Sequence, residues 1–227
     1  MPGTLRRPGY GGDMPTSARY RPITVERLVD ELADRVAALA AGRRWTRVLV
    51  DGADGAAGAG SLADALVDPV RVRGHEVLRV AASDFLRPAS LRLERGRTDP
   101  DARYDDWLDV AALRREVLTP VEPSGTGMVL PALWDAGLDR AFRRSRTPLA
   151  DGGVVLLDGE LLLGRRLPAE LSVHLWLSPG ALRRRVPADT RWALPAYARY
   201  EREVRPATTA DVVVRVDDPR RPALREG

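Results

Sequence analysis

A glycine-rich segment at residues 52–61 has the composition and spacing in this chain that point most directly to chemistry. It reads Gly-Ala-Asp-Gly-Ala-Ala-Gly-Ala-Gly-Ser and follows the apolar run Val-Leu-Val-Asp. A buried strand, a glycine-rich loop and then a helix form an arrangement in which backbone N–H groups at the helix start bind phosphate. We therefore expect phosphate contacts from Gly52, Asp54, Gly55, Gly58, Gly60 and Ser61.

The spacing of this loop departs from that of a working phosphate-binding loop. There, a glycine and four further residues precede Gly-Lys and then Ser or Thr, because the lysine bridges the phosphates and the hydroxyl holds magnesium. Here Gly52 and Gly58 enclose five residues. Ala59 and Gly60 then stand at the lysine and hydroxyl positions. Counting from Gly55 restores the spacing but still places no lysine.

No other residue of the segment supplies the missing charge. All 36 basic residues of the chain are arginines, and none of them lies between Arg47 and Arg71. Arginine would also bind phosphate with a different geometry, because its planar fork differs from a compact ammonium group. Taken alone, the segment leaves two interpretations open: a nucleotide loop, intact or decayed, and an ordinary strand-to-helix connection.

The elements that would position this loop alternate along the chain. A helix with one apolar face is expected to begin after Thr24, and further helices are expected at residues 61–67, 110–118 and 179–186, the first of these cut short by Pro69. Apolar runs between them cover residues 47–51, 76–82, 128–133, 153–158, 172–177 and 211–216. This alternation predicts an α/β fold with a mostly parallel central sheet flanked by helices, whose ligands bind at the carboxyl ends of the strands.

Composition limits the class of protein. The 227 residues, 44% hydrophobic and 30% charged, fit one soluble domain, which we place at residues 21–222. Residues 1–20 are expected to be a disordered leader, with Met1 or Met14 as the true start, and residues 223–227 a tail. There is no apolar run of membrane-spanning length and no cysteine, which fits a cytoplasmic protein without thiol chemistry.

Charge gives little reason to expect a nucleic-acid partner. The net charge is only +4 because 32 acidic residues are interspersed with the arginines. A high isoelectric point then reflects the pKa of arginine more than a concentrated positive field. The only two histidines, His75 and His174, are too far apart in the chain to suggest a metal cluster, and we expect both to be structural.

Further motifs follow the later runs in a characteristic order. They are Ser-Asp-Phe-Leu-Arg-Pro at 83–88, Tyr-Asp-Asp-Trp-Leu-Asp at 104–109, Val-Val-Leu-Leu-Asp-Gly at 154–159, Arg-Arg-Arg at 183–185 and Ala-Asp-Val-Val-Val-Arg-Val-Asp-Asp-Pro at 210–219. In this order, from about Arg47 to Pro219, the chain resembles the uridine kinase-like branch of the P-loop nucleoside kinases. The resemblance implies a three-layer P-loop NTPase-like fold with a small arginine-bearing lid, ATP and Mg²⁺ as cofactors, and a nucleoside or nucleotide as the small-molecule partner.

The resemblance also implies site residues, position by position. Asp84 would be the catalytic base, Arg184 a lid arginine that contacts phosphate, and Asp158, together with Ser61, would hold the metal. Acceptor binding would fall to Arg87, Tyr104, Asp106 and Asp139.

Two positions depart from the family pattern. Ser83 stands where the family has its catalytic carboxylate, so Asp84 can replace it only if the strand has already ended, and a turn or cap role for Asp84 remains open. Ala188 stands where the family has its second lid arginine. For Asp109 and Trp107, a helix N-cap and a packing role are open beside a role in acceptor binding.

Three functional hypotheses follow from these matches and departures. The first is a uridine kinase-like protein with lost or strongly reduced catalysis and a binding or regulatory role. The second is an active kinase in which Arg184 replaces the loop lysine and Ser61 holds the metal. The third is an interaction protein without a nucleotide role.

Overall fold

The computed structural model describes residues 19–226, in which eleven strands are assigned. They are β1 (Tyr20–Pro22), β2 (Trp45–Gly52), β3 (Val77–Ala81), β4 (Met128–Val129), β5 (Trp134–Asp135), β6 (Arg140–Ala141), β7 (Thr147–Pro148), β8 (Gly153–Gly159), β9 (Leu171–Trp176), β10 (Val212–Arg215) and β11 (Ala223–Arg225). The expected leader lies almost entirely outside the described residues.

Eight α-helices connect these strands in the described part of the chain. They are α1 (Val25–Ala40), α2 (Ala59–Val72), α3 (Ala89–Arg92), α4 (Pro100–Asp105), α5 (Val110–Leu113), α6 (Pro179–Arg185), α7 (Leu194–Glu203) and α8 (Pro206–Thr209). A π-helical turn, Arg114–Leu118, extends α5, and 3₁₀ turns lie at Ala82–Asp84, Thr119–Val121 and Ala188–Ala193.

The central sheet has seven strands in the order β1-β11-β10-β9-β2-β8-β3. From β10 to β3 all neighbours are parallel, whereas β11 pairs antiparallel with both β1 and β10. The expected mostly parallel α/β sheet flanked by helices is therefore confirmed. The segments after β2, β8 and β9 leave the sheet at one common edge, which is where ligands bind in such sheets.

The middle strands are apolar because helices cover both of their faces. Val154, Val155, Leu156 and Leu157 of β8 are all completely buried, and β2 has the same character at Val48–Val50. Strands of a parallel sheet that are buried on both faces have continuous apolar runs instead of an alternating pattern. This explains why the strands are easily identified from the sequence. Because β2 is a middle strand, the loop that follows it lies at the centre of the sheet edge.

Helix α2 is longer than the sequence predicts. We expected Pro69 to end it, but Pro69 lies inside the helix, which continues to Val72. Proline removes one backbone hydrogen bond and costs about 3 kcal/mol in a helix interior. The apolar face of α2, which includes the fully buried Leu66 and Val70, packs on the sheet and on α1, and this burial offsets the local cost.

The apolar run at residues 128–133 is not a strand of the central sheet, contrary to our expectation. Only β4 is extended, and it pairs antiparallel with β7 in a separate two-stranded sheet. Pro131 has no N–H to donate to a ladder, which limits the strand to two residues. A second small hairpin, β5 with β6, follows directly.

The sheet includes residues that the sequence placed outside the domain. Tyr20, at the end of the expected leader, pairs with Arg225, and Leu224 pairs with both Arg21 and Val214. The expected tail thus forms β11, because two neighbouring strands each offer it a ladder of backbone hydrogen bonds. None of the helices within residues 19–226 has the length and apolar composition required to cross a bilayer.

Removal of residues 223–227 is expected to lower the free energy of unfolding by about 2–4 kcal/mol, because the half-buried Leu224 and two backbone ladders are lost. Denaturant titration followed by circular dichroism measures this change. Removal of Gly227 alone is the control and should change nothing. A truncated chain with native stability would contradict the role assigned to β11.

Candidate functional site

The glycine-rich loop lies at the carboxyl end of β2 and leads directly into α2. Gly55 and Gly58 both have positive φ, +63° and +85°, a backbone region that glycine adopts at little cost. Gly58 is the N-cap residue of α2, so Ala59 and Gly60 are the first two residues of the helix. The two positions where the resembled family has lysine and a hydroxyl are therefore at the helix start.

The loop closes on itself through its own backbone. The N–H groups of Ala56 and Ala57 both donate to the carbonyl of Ala53, at 3.1 and 2.8 Å. The methyl groups of Ala56 and Ala57 are buried, and a Cβ added at Gly52 would stand 2.8 Å from that of Ala57. These two N–H groups are directed into a helical turn, so they do not face a ligand.

A carboxylate accepts from a third N–H of the loop. The backbone N of Asp54 lies 3.3 Å from Oε2 of Glu160, which follows β8. Glu160 also forms an ion pair with Arg103, at 2.6 Å, and accepts from the hydroxyl of Tyr197. Burial raises the pKa of Glu160, whereas Arg103 and Tyr197 oppose that shift. A carboxyl group paired with Arg103 therefore stands beside the loop.

Aromatic side chains surround this ion pair, and the segment after α6 lies close to the loop. The guanidinium of Arg103 lies 4.7 Å from the ring centre of Trp107 and 5.7 Å from that of Trp192, and the two rings are in contact. Pro187, just after α6, would be 3.3 Å from a Cβ added at Gly55. Trp107 thus has the packing role that the sequence left open, and Pro187 lies against the loop at Gly55.

Asp158 ends β8 as the sequence predicts, but its carboxylate is bound by an arginine that sequence reasoning missed. Arg79 of β3 donates from Nε to Oδ1 at 2.8 Å and from Nη2 to Oδ2 at 3.1 Å. Its Nη1 donates to Asp64 of α2 at 2.8 Å. A Cβ added at Gly60 would be 3.0 Å from Arg79 Nη2 and 3.3 Å from Asp158 Oδ2.

Asp84 can replace the family's carboxylate only if the strand ends before it, and the structure meets this condition. Strand β3 ends at Ala81, and Asp84 follows in a 3₁₀ turn at the same sheet edge. Burial raises the pKa of Asp84, Arg79 lowers it, and Asp135 and Asp158 raise it further. Asp84 thus lies near the carboxylate of Asp158, and its role as a base stays a prediction.

The other residues assigned to phosphate and metal are less close to this centre. A side chain at position 60 would face Asp158, whereas Ser61 is exposed on the surface of α2. Arg184 is exposed on α6, and within residues 19–226 it forms no hydrogen bond or ion pair with the loop. Their predicted roles remain predictions.

Two of the four residues assigned to acceptor binding have their own polar partners. Asp106 forms an ion pair with Arg95. Asp139 has positive φ and accepts from the N–H of Ala89 at 2.7 Å and from Nε1 of Trp134 at 3.1 Å. These contacts are those of surface and turn residues.

Arg87 is half-buried and donates its backbone N–H to the carbonyl of Trp107 at 2.9 Å. Asp109 accepts from the N–H of Ala112 at 2.8 Å, so it has the N-cap role that the sequence left open.

Tyr104 does line a cavity. It borders a cleft of about 310 Å³, whose other lining residues are Val110, Leu161, Leu163, Gly164, Arg165, Tyr200 and Val204. The ring of Tyr104 is covered by the guanidinium of Arg199 at 4.2 Å and meets Tyr200 edge-on at 6.4 Å. A larger groove of about 700 Å³ lies between α1 and α2, away from the loop.

A buried polar network lies directly beneath the loop. Asp51, fully buried, accepts from the N–H of Leu162 at 2.8 Å and from the hydroxyl of Tyr200 at 3.0 Å, and it lies 2.7 Å from Nδ1 of His174. The hydroxyl of Tyr200 in turn accepts from the N–H of Leu163 at 2.9 Å. His174 is therefore structural, as expected. The charged residue inside the apolar run of β2 was the signal for this network.

The residues at the loop do not fit a magnesium ion. Magnesium requires oxygen ligands in octahedral geometry, often with a carboxylate and a hydroxyl beside the phosphates. Both oxygens of Asp158 are bound by Arg79, and Gly60 has no hydroxyl. Within residues 19–226 there is no group of three His, Cys, Asp or Glu side chains that could hold a metal.

The fold is similar to that of known kinases. A protein described as a possible uridine kinase from Bacillus stearothermophilus matches with a TM-score of 0.61 and 20% identity, over 81% of this chain and 98% of that one. A proposed fructose transport system kinase from Silicibacter sp. TM1040 matches with a TM-score of 0.56 and 22% identity, over 83% and 90%. No protein-family model matches the chain, and no curated protein matches it either. These similarities establish a P-loop kinase-like α/β fold.

Tyr200→Phe is expected to lower the free energy of unfolding by about 2–4 kcal/mol, because Asp51 loses a donor and the buried N–H of Leu163 loses its acceptor. Tyr104→Phe is the matched control, since the hydroxyl of Tyr104 contacts Glu203 near the surface. Chemical denaturation of the two variants measures both changes. Equal effects would contradict the structural role of the network beneath the loop.

Proposed function

We propose that this chain is a uridine kinase-like protein that has lost ATP-dependent phosphotransfer and retains a binding role for a nucleoside or a similar small hydroxylated molecule. The observation that carries this proposal is the self-closed loop. Two of its N–H groups donate to Ala53 and a third donates to Glu160. Three N–H groups of the loop are thus already bound within the protein, and no lysine is present to attract phosphate.

The missing charges support the loss of catalysis. Phosphoryl transfer is catalysed almost entirely by positioning and by electrostatic stabilisation from a lysine, a metal ion and arginines. Removal of one preorganised donor typically reduces the rate by about 10²–10³-fold. Effects within one site are not additive. Even two independent losses would leave the rate about 10⁴-fold or more below that of an active kinase.

The cleft beside Tyr104 supports the retained binding role. Its volume of about 310 Å³ is at the lower end of the range for small-molecule sites, which combine apolar walls with few polar groups. Val110, Leu161 and Leu163 provide the apolar wall, and Tyr104 offers an aromatic edge. Arg165 brings a cation whose pKa burial lowers. The small volume of the cleft suits a compact ring compound better than a nucleoside triphosphate.

The absence of cysteine is compatible with a cytoplasmic location, which we include in the proposal.

Calorimetric titration is expected to show no saturable binding of Mg-ATP to the native chain and saturable binding of uridine. The physical reason is that three N–H groups of the loop are bound internally and that the loop has no lysine, whereas the cleft is accessible to a small ring. An assay of ADP release measures turnover in parallel. Turnover that Arg184→Ala abolishes would contradict the proposal and support a kinase that uses a lid arginine. Absence of saturable binding of both Mg-ATP and uridine would also contradict it and would support an interaction protein.

Tyr104→Leu is expected to weaken uridine binding by up to about tenfold, since it removes an aromatic contact worth about 0.5–1.5 kcal/mol. The matched control is Tyr20→Leu on the edge strand β1, which should leave the affinity unchanged. Titration of the two variants at equal folded concentration gives both values. Equal affinities would exclude the cleft as the binding site.

A further inference from the structure

We infer that Arg79 is a built-in cation that takes the place of a divalent metal ion beside the loop and excludes that ion from the native protein. This inference rests on the fold and on the contacts of Arg79, and it is independent of whether the cleft at Tyr104 binds a nucleoside. It concerns the side chains at the start of α2 and the ends of β3 and β8.

The contacts of Arg79 satisfy the acidic residues at this point. Its three donor groups reach Asp158 twice and Asp64 once, all within 3.1 Å. The side chain of Asp158 is only 8% exposed, so its charge requires a partner. A bidentate guanidinium is the strongest such partner among side chains. Each oxygen of Asp158 therefore already accepts a hydrogen bond from a cation, which a metal ion would have to displace.

The charge of Arg79 is maintained in this position. Burial lowers its pKa, but the hydrogen bond and the charge of Asp158, together with Asp64 and Asp84, more than reverse the effect and raise it. The guanidinium is consequently a permanent cation. A divalent ion would have to approach this positive charge at contact distance, which is electrostatically unfavourable.

Gly60 is the counterpart of Arg79. It stands at the position of the metal-binding hydroxyl in a working loop, and its missing side chain leaves room for the guanidinium. Even a Cβ there would be 3.0 Å from Nη2 of Arg79, which two carboxylates hold in place. Glycine at 60 and arginine at 79 thus fit one another, and restoring a hydroxyl at 60 requires Arg79 to move.

The direct test is a titration with Mn²⁺ alone, followed by electron paramagnetic resonance of the unbound ion. The native chain is expected to show no saturable binding. Arg79→Met is expected to bind Mn²⁺ at least about tenfold more tightly, because a positive charge at contact distance is removed and Asp158 is released. Adding Asp158→Asn to that variant should abolish the gain.

The control is Arg71→Met, which removes an exposed arginine from the end of α2 and should leave Mn²⁺ binding as in the native chain. Native binding as tight as that of Arg79→Met would overturn the inference. Absence of binding in a folded Arg79→Met variant would overturn it as well. Neither result involves ATP or a nucleoside, so failure here is distinguishable from failure of the proposed function.

A second measurement uses alanine substitutions and does not require Arg79→Met to fold. Gly60 and Gly180 are each the second residue of a helix, α2 and α6. A Cβ at Gly180 meets only the mobile end of Arg184, at 3.4 Å. Gly180→Ala should therefore raise the melting temperature, as glycine replacement in helices generally does. Gly60→Ala should lower it, and an equal rise in both variants would overturn the packing on which the inference rests.

Discussion

The carboxylate of Asp51 is the constraint on which the rest of the structure depends. A charged group in a fully buried position is tolerated only when hydrogen bonds replace its hydration. Its partners come from β9, from the segment after β8 and from α7, so a single side chain joins three parts of the fold at the end of β2. The position of the loop, which starts one residue later, is fixed by this junction, and so is the wall of the cleft that Tyr200 lines.

In the loop above Asp51, acceptors within the protein bind backbone N–H groups that a phosphate ligand would otherwise bind. A phosphate-binding loop leaves these groups unsatisfied until a ligand arrives, and this arrangement is costly unless the ligand provides compensation. Here a short helical turn and one carboxylate bind three of them internally. The alanines at 56 and 57 favour this outcome because their small apolar side chains pack inward beneath the turn. The three internal bonds hold this part of the loop in one conformation without a ligand.

Much of the fold could be predicted from the sequence, because buried parallel strands leave continuous apolar runs that are visible without coordinates. The N-cap of Asp109 and the position of Asp158 at a strand end were also accessible, since both follow from local order. The side chain that binds Asp158 could not be predicted from the sequence. Arg79 is 79 residues away along the chain, and the pair exists only because β3 lies beside β8, which nothing in either segment encodes. The continuation of α2 through Pro69 was missed for a similar reason, since packing on distant elements determines it.

The ion pair of Arg79 and Asp158 has a consequence for how this protein responds to its surroundings. A metal ion dissociates, so a site that needs one is filled only to the extent that the ion's concentration allows. A guanidinium attached to the backbone has no such equilibrium, and its local concentration does not vary. Chelators and changes in the cellular magnesium level would leave this part of the molecule unaltered. The charge at the start of α2 therefore does not depend on the concentration of a metal ion. This property suits a constant structural role better than a regulatory response to metal.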